Sequence, residues 1–299
     1  MMHYQQLGSS HLHISKIGFG CMSLRLGAAD NEAILLKAIE EGINYFDTAD
    51  LYDKGLNEEF LGKAFRGKRD KLILATKAGN QWRADGSGWD WNPRKDYILA
   101  CAEKSLKRLQ TDYIDLYQLH GGTMQDPIDE TIEAFEILLQ QGKIRYYGLS
   151  SIRPTVIREW ATRSNIVSVM TQYSLLDRRP EEETLNLLHQ KNIGVVTRGS
   201  VAQGLLVDKP AKEYLNYSGE EVGRAASAIR SLAGHERTAP QTALKYVLQH
   251  PAITSAIVGI RTMGQLDEAV GTIAAGDLSA TEMQMLKNSI PANYYTEHR

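Results

Sequence analysis

Four side chains able to carry protons stand at or just beyond the ends of short apolar runs. Phe46-Asp47-Thr48-Ala49-Asp50-Leu51-Tyr52 ends one run on a carboxylate and reaches a phenol five residues later. Ala75-Thr76-Lys77-Ala78-Gly79 ends a second on an ammonium, and Leu116-Tyr117-Gln118-Leu119-His120-Gly121 ends a third on an imidazole. Taken singly, each has an ordinary account. A Lys after a strand is commonly solvated, and a His there commonly bonds a carbonyl. Together, Asp47, Tyr52, Lys77 and His120 are equipment for general acid–base chemistry, provided the three runs end side by side.

Parallel strands would meet that condition. Runs at 16–20, 44–47, 71–76, 113–119, 144–149, 166–172, 193–197 and 256–260 are short, and several are near-continuously apolar, as strands buried on both faces are. Helical patterns follow at 31–41, 58–65 (with Asn57 as its expected cap), 95–109, 126–141, 154–162, 181–190, 240–249 and 263–274. Eight alternations predict an α/β chain closed into a (β/α)8 TIM barrel, a single domain over 1–299. An N-terminal β-hairpin at 3–14 and an extra C-terminal helix at 280–288 lie outside the repeat. So does a long connection at 199–235, with a helical stretch near 220–232; loops of that length are usually functional. Barrel active sites lie at the C-terminal ends of the strands, where Asp47, Lys77 and His120 emerge.

Composition removes several alternatives. The chain has 299 residues, 42% of them hydrophobic and 23% charged, an ordinary globular balance. A net charge of −2 offers no field for a polyanion, so no nucleic-acid partner is expected. No apolar run approaches the ~18 residues of a membrane span. The start MMHYQQLGSSHLHISKIG lacks the parts of a signal peptide. Two cysteines, Cys21 and Cys101, make no disulfide framework, and a cytoplasmic protein is expected.

Three motif matches fail. Gly62-Lys63-Ala64-Phe65-Arg66-Gly67-Lys68 has phosphate-loop spacing, but Arg69 stands where Ser or Thr would hold magnesium, and the segment falls in a helical pattern. Gly18-Phe19-Gly20 begins a dinucleotide fingerprint without its third glycine. Asp47, Asp50 and Asp53 have no His pair or second carboxylate cluster to complete a metal site, and capping or solvation accounts for Asp50 and Asp53. No metal is expected, which also disfavours a metal-dependent barrel hydrolase.

Over essentially its whole length the chain resembles the aldo-keto reductases. The likeness is carried by Gly18-Phe19-Gly20-Cys21-Met22, Phe46-Asp47-Thr48-Ala49, Asn57-Glu58-Glu59, Thr76-Lys77 and Asp112-Tyr113-Ile114-Asp115-Leu116-Tyr117-Gln118-Leu119-His120. It continues in Gly148-Leu149-Ser150-Ser151, Gln172-Tyr173-Ser174 and Gln203-Gly204-Leu205-Leu206. The resemblance implies an NADPH-dependent monomer that reduces a small-molecule aldehyde or ketone, with Asp47, Tyr52, Lys77 and His120 as catalytic tetrad and Tyr52 as general acid. The alternative within that family is a redox-sensing auxiliary subunit with slow turnover, which the intact tetrad disfavours. The chemistry is coherent. Hydride addition leaves a developing alkoxide that needs a proton, and a free phenol, with a pKa near ~10, exchanges protons poorly at neutral pH. An ammonium beside a phenol favours its ionised form. Asp47 would keep that ammonium charged and aimed, His120 would orient the carbonyl, and the cofactor would carry the hydride.

The same likeness assigns the cofactor contacts. Gly20, Cys21, Met22 and Asp47 belong to the set. Ser150, Ser151 and Gln172 match the positions that hold the nicotinamide carboxamide. Gly199, Ser200, Val201, Gly204 and Lys209 match the loop over the pyrophosphate. Gly259, Arg261, Gln265 and Glu268 match the adenosine end, where Arg261 would pair a 2′-phosphate. Two departures stand out. Arg198 replaces the aromatic that commonly stacks on the nicotinamide, and it either lies on that ring or turns to a carboxylate or the pyrophosphate. Ala269 replaces an Asn that commonly follows Glu268. For the substrate, Trp82, Trp89 and Trp91 in the loop after the third barrel strand would join Tyr52 and His120 as an aromatic wall. Arg83 and Arg94 in that loop would suit an acidic substrate.

Overall fold

The computed structural model describes residues 1–298. Two strands, β1 (Tyr4–Gln6) and β2 (His13–Ser15), pair first as an antiparallel hairpin. Then follow β3 (Ile17–Gly20), α1 (Asn31–Glu40), β4 (Tyr45–Asp47), α2 (Leu56–Ala64) and β5 (Ile73–Ala78). A second hairpin, β6 (Asn80–Trp82) and β7 (Trp89–Trp91), precedes α3 (Lys95–Leu109), β8 (Ile114–Leu119) and α4 (Ile128–Gln140). Next come β9 (Ile144–Ser150), α5 (Pro154–Arg163), β10 (Ser168–Gln172), α6 (Thr184–Gln190) and β11 (Gly194–Arg198). The chain ends with α7 (Gly219–Ser231), α8 (Ala239–Leu248), β12 (Ile253–Gly259), α9 (Met263–Gly271) and α10 (Ala280–Ser289). Strands β3, β4, β5, β8, β9, β10, β11 and β12 close into one parallel barrel, β12 pairing back onto β3. This is the (β/α)8 architecture that the strand and helix periods predict.

Alternation along each strand sorts the core into two layers. Tyr45, Ala75, Leu116, Met170, Val196 and Ile257 pack together inside the barrel. Leu7, Leu12 and Ile14 of the first hairpin join them and close the N-terminal mouth. Phe46, Leu74, Tyr117, Leu149, Val169 and Val195 face the helices instead. Two residues beyond the inner layer, on the same face of β4, β5 and β8, come Asp47, Lys77 and Gln118. On these three strands the inner face therefore gathers its charged and amide side chains at the C-terminal end.

Local differences from the sequence reading have physical causes. The α2 helix starts after Gly55, which takes φ +89°, so Asn57 does not cap it. Asn57 is buried in the first turn, where its amide bonds Thr48 Oγ1 at 2.7 Å and the Cys21 carbonyl at 2.9 Å. Gly62, the first glycine of the phosphate-loop lookalike, serves helix packing: a Cβ there would lie 2.4 Å from the Arg108 carbonyl oxygen of α3. Within the long connection, Ser218 and Glu221 cap α7 reciprocally.

Candidate active site

The strand ends bring the four proton-handling residues to one mouth of the barrel. Lys77 Nζ donates to Asp47 Oδ1 at 2.5 Å, to the Thr48 carbonyl at 2.7 Å and to Tyr52 OH at 3.4 Å. Lys77 is fully buried and Asp47 nearly so, while Tyr52 is half-exposed at the start of a short 3-10 turn. The Tyr52 and His120 rings meet edge to face, centroids 5.9 Å apart. One nitrogen of His120, Nδ1, is buried without a partner.

Burial and charge set the protonation states. Burial pulls the Lys77 ammonium down, but the Asp47 carboxylate and the Tyr52 oxygen more than offset it and hold it above its ordinary value. Burial likewise pushes Asp47 up, against the pull of the Lys77 ammonium, the Gln118 amide and the Arg198 guanidinium. His120 falls to about 3, through burial first and then the nearby Lys77 and Arg198 cations, so the imidazole is neutral at working pH.

Polar clamps behind the pair fix its backbone. Asn57 holds Thr48, next to Asp47, and Glu58 Oε1 accepts from Thr76 Oγ1, next to Lys77, at 2.6 Å. Glu58 is itself buried and paired with Arg108 at 2.6 Å. Asp50, expected to be capped or solvated, is buried with Oδ1 unpartnered. Burial and the neighbouring Glu58 carboxylate raise it to about 7. Asp53 is exposed. Among the described residues, no three His, Cys, Asp or Glu side chains are grouped to hold a metal ion.

Opposite Lys77, the mouth is open. Arg198 is exposed at the end of β11 and donates to Gln172 Oε1 at 2.6 Å, while Gln172 Nε2 donates to Tyr214 OH at 2.9 Å. Among the described residues Arg198 thus takes neither a carboxylate nor an aromatic partner, and both ends of the Gln172 amide are engaged. Gly199 takes φ +74°, and a Cβ there would press on the Gln172 side chain at 3.3 Å. Ser150 is half-buried, and Ser151 and Ser200 are buried beside this edge. Gly204 leaves room for the Lys209 side chain, 3.3 Å from where its Cβ would stand. Val201 is half-buried between them. Gly20 is half-buried, Cys21 is buried, and Met22 and Gly259 are exposed. Arg261 donates to the Ser23 carbonyl at 3.1 Å, and Gln265 accepts from the Arg261 backbone at 2.8 Å. Glu268 accepts from Thr238.

The tryptophan loop is the second hairpin rather than an irregular wall. Trp91 anchors it: its ring fills the space over Gly79 and Gly121, and its Nε1 donates to Asp126 at 2.8 Å. Trp82 meets Trp89 edge to face and donates to the Leu51 carbonyl at 3.2 Å, one residue from Tyr52. Arg83 and Arg94 are spent on Asp90 and Glu130 at 2.7 and 3.4 Å, so neither offers a free cation. The sequence reading passed over Gln118 and Tyr214 as site residues. A strand period of two would have placed Gln118 on the inner face with Leu116, a signal that was present. Tyr214, inside the long connection, had none.

A family model described as the aldo/keto reductase family matches residues 16–290. The chain is 50% identical over 309 aligned residues to the uncharacterized oxidoreductase YqkF of Bacillus subtilis, covering all of both chains. It is 31% identical to probable aldo-keto reductase 1 of Glycine max, covering 96% of this chain and 88% of that one. Among solved structures it resembles aldo-keto reductase AKR11C1 of Bacillus halodurans in its holo form, 49% identical, with full coverage of both chains and a TM-score of 0.94. Against the apo form of that protein the TM-score is 0.85.

Proposed function

The chain belongs to the aldo/keto reductase family, and we propose that it reduces aldehydes or ketones to alcohols with NADPH, Tyr52 giving the proton. One observation carries the proposal: a single buried ammonium, Lys77 Nζ, touches both the Asp47 carboxylate and the Tyr52 hydroxyl. A buried ion pair that opens onto a half-exposed phenol is an arrangement for releasing a proton toward the mouth. It adds little to stability, since burying the two charges offsets their attraction.

The rim fits a nicotinamide dinucleotide phosphate. Arg198, Lys209 and Arg261 form no ion pair among the described residues, and all three are exposed along one edge. Arg261 would take the 2′-phosphate, Lys209 and the 199–204 loop the pyrophosphate, and Ser150, Ser151 and Gln172 the carboxamide. When bound, the cofactor supplies the hydride. The chain does the rest. Neutral His120 and the Tyr52 hydroxyl orient the carbonyl oxygen, Tyr52 passes it a proton, and Lys77 stabilises the phenolate left behind. Trp82 and Trp89 flank the substrate's approach. The two cysteines are buried and unpaired, in keeping with a reducing, cytoplasmic setting.

The test is direct. NADPH mixed with the protein and a panel of aldehydes and ketones should lose its near-ultraviolet absorbance in step with alcohol formed. No consumption with any member of the panel, while NADPH still binds, removes the reductase reading.

A further inference from the structure

Gln118 is out of place as a packing residue. It lies on the inner face of β8, fully buried, directly after the apolar layer that Leu116 shares with Tyr45, Met170 and Val196. An apolar side chain would fill that position without the cost of burying an amide. The amide does not even satisfy itself. Its Oε1 has no partner, and the one side-chain hydrogen bond it makes runs from Nε2 to Asp47 Oδ2, at 3.3 Å. Asp47 thus has one oxygen on Lys77 and the other on Gln118.

We infer that Gln118 is a positioning residue: its amide holds the second oxygen of Asp47, fixing the carboxylate ionised and aimed at Lys77, and so tunes the proton that Tyr52 delivers. This deepens the reductase reading and rests on it for the last step. Every charged or titratable group facing Asp47 enters the balance. Lys77 on β5 binds it, Arg198 on β11 attracts it across the mouth, and Tyr45 on its own strand and Cys21 after β3 sense its charge. Tyr52 and His120 reach it only through Lys77. Gln118 is the neutral donor in this ring, so it favours the carboxylate without adding a charge that would compete for Tyr52 or the substrate.

Two variants test the inference. Gln118→Met keeps the volume and removes the donor. Gln118→Glu keeps the shape and sets a second carboxylate beside Asp47, so that the two share a proton. The Asp47 carboxyl carbon is followed by NMR against pH in the full chain without cofactor, its signal identified with Asp47→Asn. Losing a hydrogen bond to a charged group raises the Asp47 midpoint by about one pH unit in Gln118→Met. In Gln118→Glu it rises further. With NADPH and a turned-over carbonyl, the acid limb of kcat moves up by the same amount. At neutral pH kcat falls roughly tenfold as the pair loses alignment, while KM and NADPH affinity stay within twofold. An unchanged Asp47 titration in the two variants overturns the inference, and if Gln118→Met does not fold, Gln118→Glu decides alone. Because the titration needs no turnover, a wild type that consumes no NADPH would remove the reductase reading and still leave this one decided.

Discussion

Lys77 on β5 and Arg198 on β11 stand across the barrel mouth from each other, both cationic, in opposite circumstances. Lys77 is fully buried, with three oxygens within 3.4 Å. Arg198 is exposed and spends one N–H on a neutral amide, and among the described residues Lys209 and Arg261 on the same rim form no ion pair. The Lys77 side is assembled by folding alone: Asn57, Glu58 and Gln118 hold the backbone and carboxylate that hold the ammonium. The Arg198 side is charge without an ion-pair partner among the described residues, and most of its energy appears with an anionic ligand. Substitutions on the first side should therefore change rates and proton equilibria with little effect on cofactor affinity. Those on the second should change affinity, in a salt-dependent way, and leave the chemistry of the bound state nearly intact.

The largest effect lies on the assembled side. Tyr52→Phe keeps the ring against His120 and removes the transferable proton. Loss of one general acid lowers kcat by at least ~10²-fold, and NADPH affinity by fluorescence titration stays near wild type. A variant within a few-fold of wild type in single-turnover kinetics would take Tyr52 out of the proton path.

The open side gives the next. Among the described residues the Arg261 side chain hydrogen-bonds only the Ser23 carbonyl, through Nε, which leaves its terminal nitrogens available. A charge-assisted contact to the 2′-phosphate is worth ~1.5–3 kcal/mol, roughly 10–150-fold in affinity. Arg261→Ala should weaken NADPH by that factor and leave NADH nearly unchanged. Equal weakening of both would assign Arg261 to the loop rather than to the phosphate.

A third effect separates the regions by stability. His120 is held near 3 in the folded chain by burial and by two cations, against an unfolded value near ~6.5. Between these limits the unfolded chain binds the extra proton, so stability falls as pH falls through the window. The slope from this one group approaches about 1.4 kcal/mol per pH unit. Denaturant unfolding at pH 6.5 and 5 should show it, and His120→Asn should reduce it. It does not vanish, because burial lowers His250 as well. An identical slope in wild type and variant would mean that the imidazole is solvated.

The contrast also marks where the sequence was readable. Strands β4, β5 and β8 announce themselves by apolar runs, and a parallel barrel leaves their ends nowhere but one mouth, so the sequence alone places Asp47, Lys77 and His120 on one rim. Asn57 and Asp50 were misread for one reason. Polar residues near a helix start normally cap or face water, and only tertiary contacts bury these two, Asn57 against Thr48 and Cys21, and Asp50 against Glu58 and Cys101. The β6–β7 hairpin is hidden in the sequence because each strand is only three residues long, too short for the alternation in Trp89-Asp90-Trp91 to declare a strand. The direction taken by Arg198 was not readable at all. It depends on Gln172, a different strand's side chain, and on Tyr214 from the long connection.

Arg198 provides the smallest and sharpest test of the contrast. Its guanidinium is held at the Gln172 amide, the position that would receive the carboxamide, which sets a positive charge beside the ring that gains one on oxidation. At ~4 Å and an effective dielectric near 20, two such charges repel by about 4 kcal/mol before solvent and the pyrophosphate screen them. A surviving bias of ~1 kcal/mol separates the dissociation constants of NADPH and NADP+ about fivefold, the reduced form binding more tightly. Arg198→Tyr should erase that ratio, because an aromatic face favours the cationic ring, and rising salt should shrink it in wild type but not in the variant. Titrating both cofactor forms into both proteins at low and high salt measures the two effects together. If the wild-type ratio equals the variant's at low salt, the guanidinium faces away from the nicotinamide, and the Arg198 edge serves affinity alone.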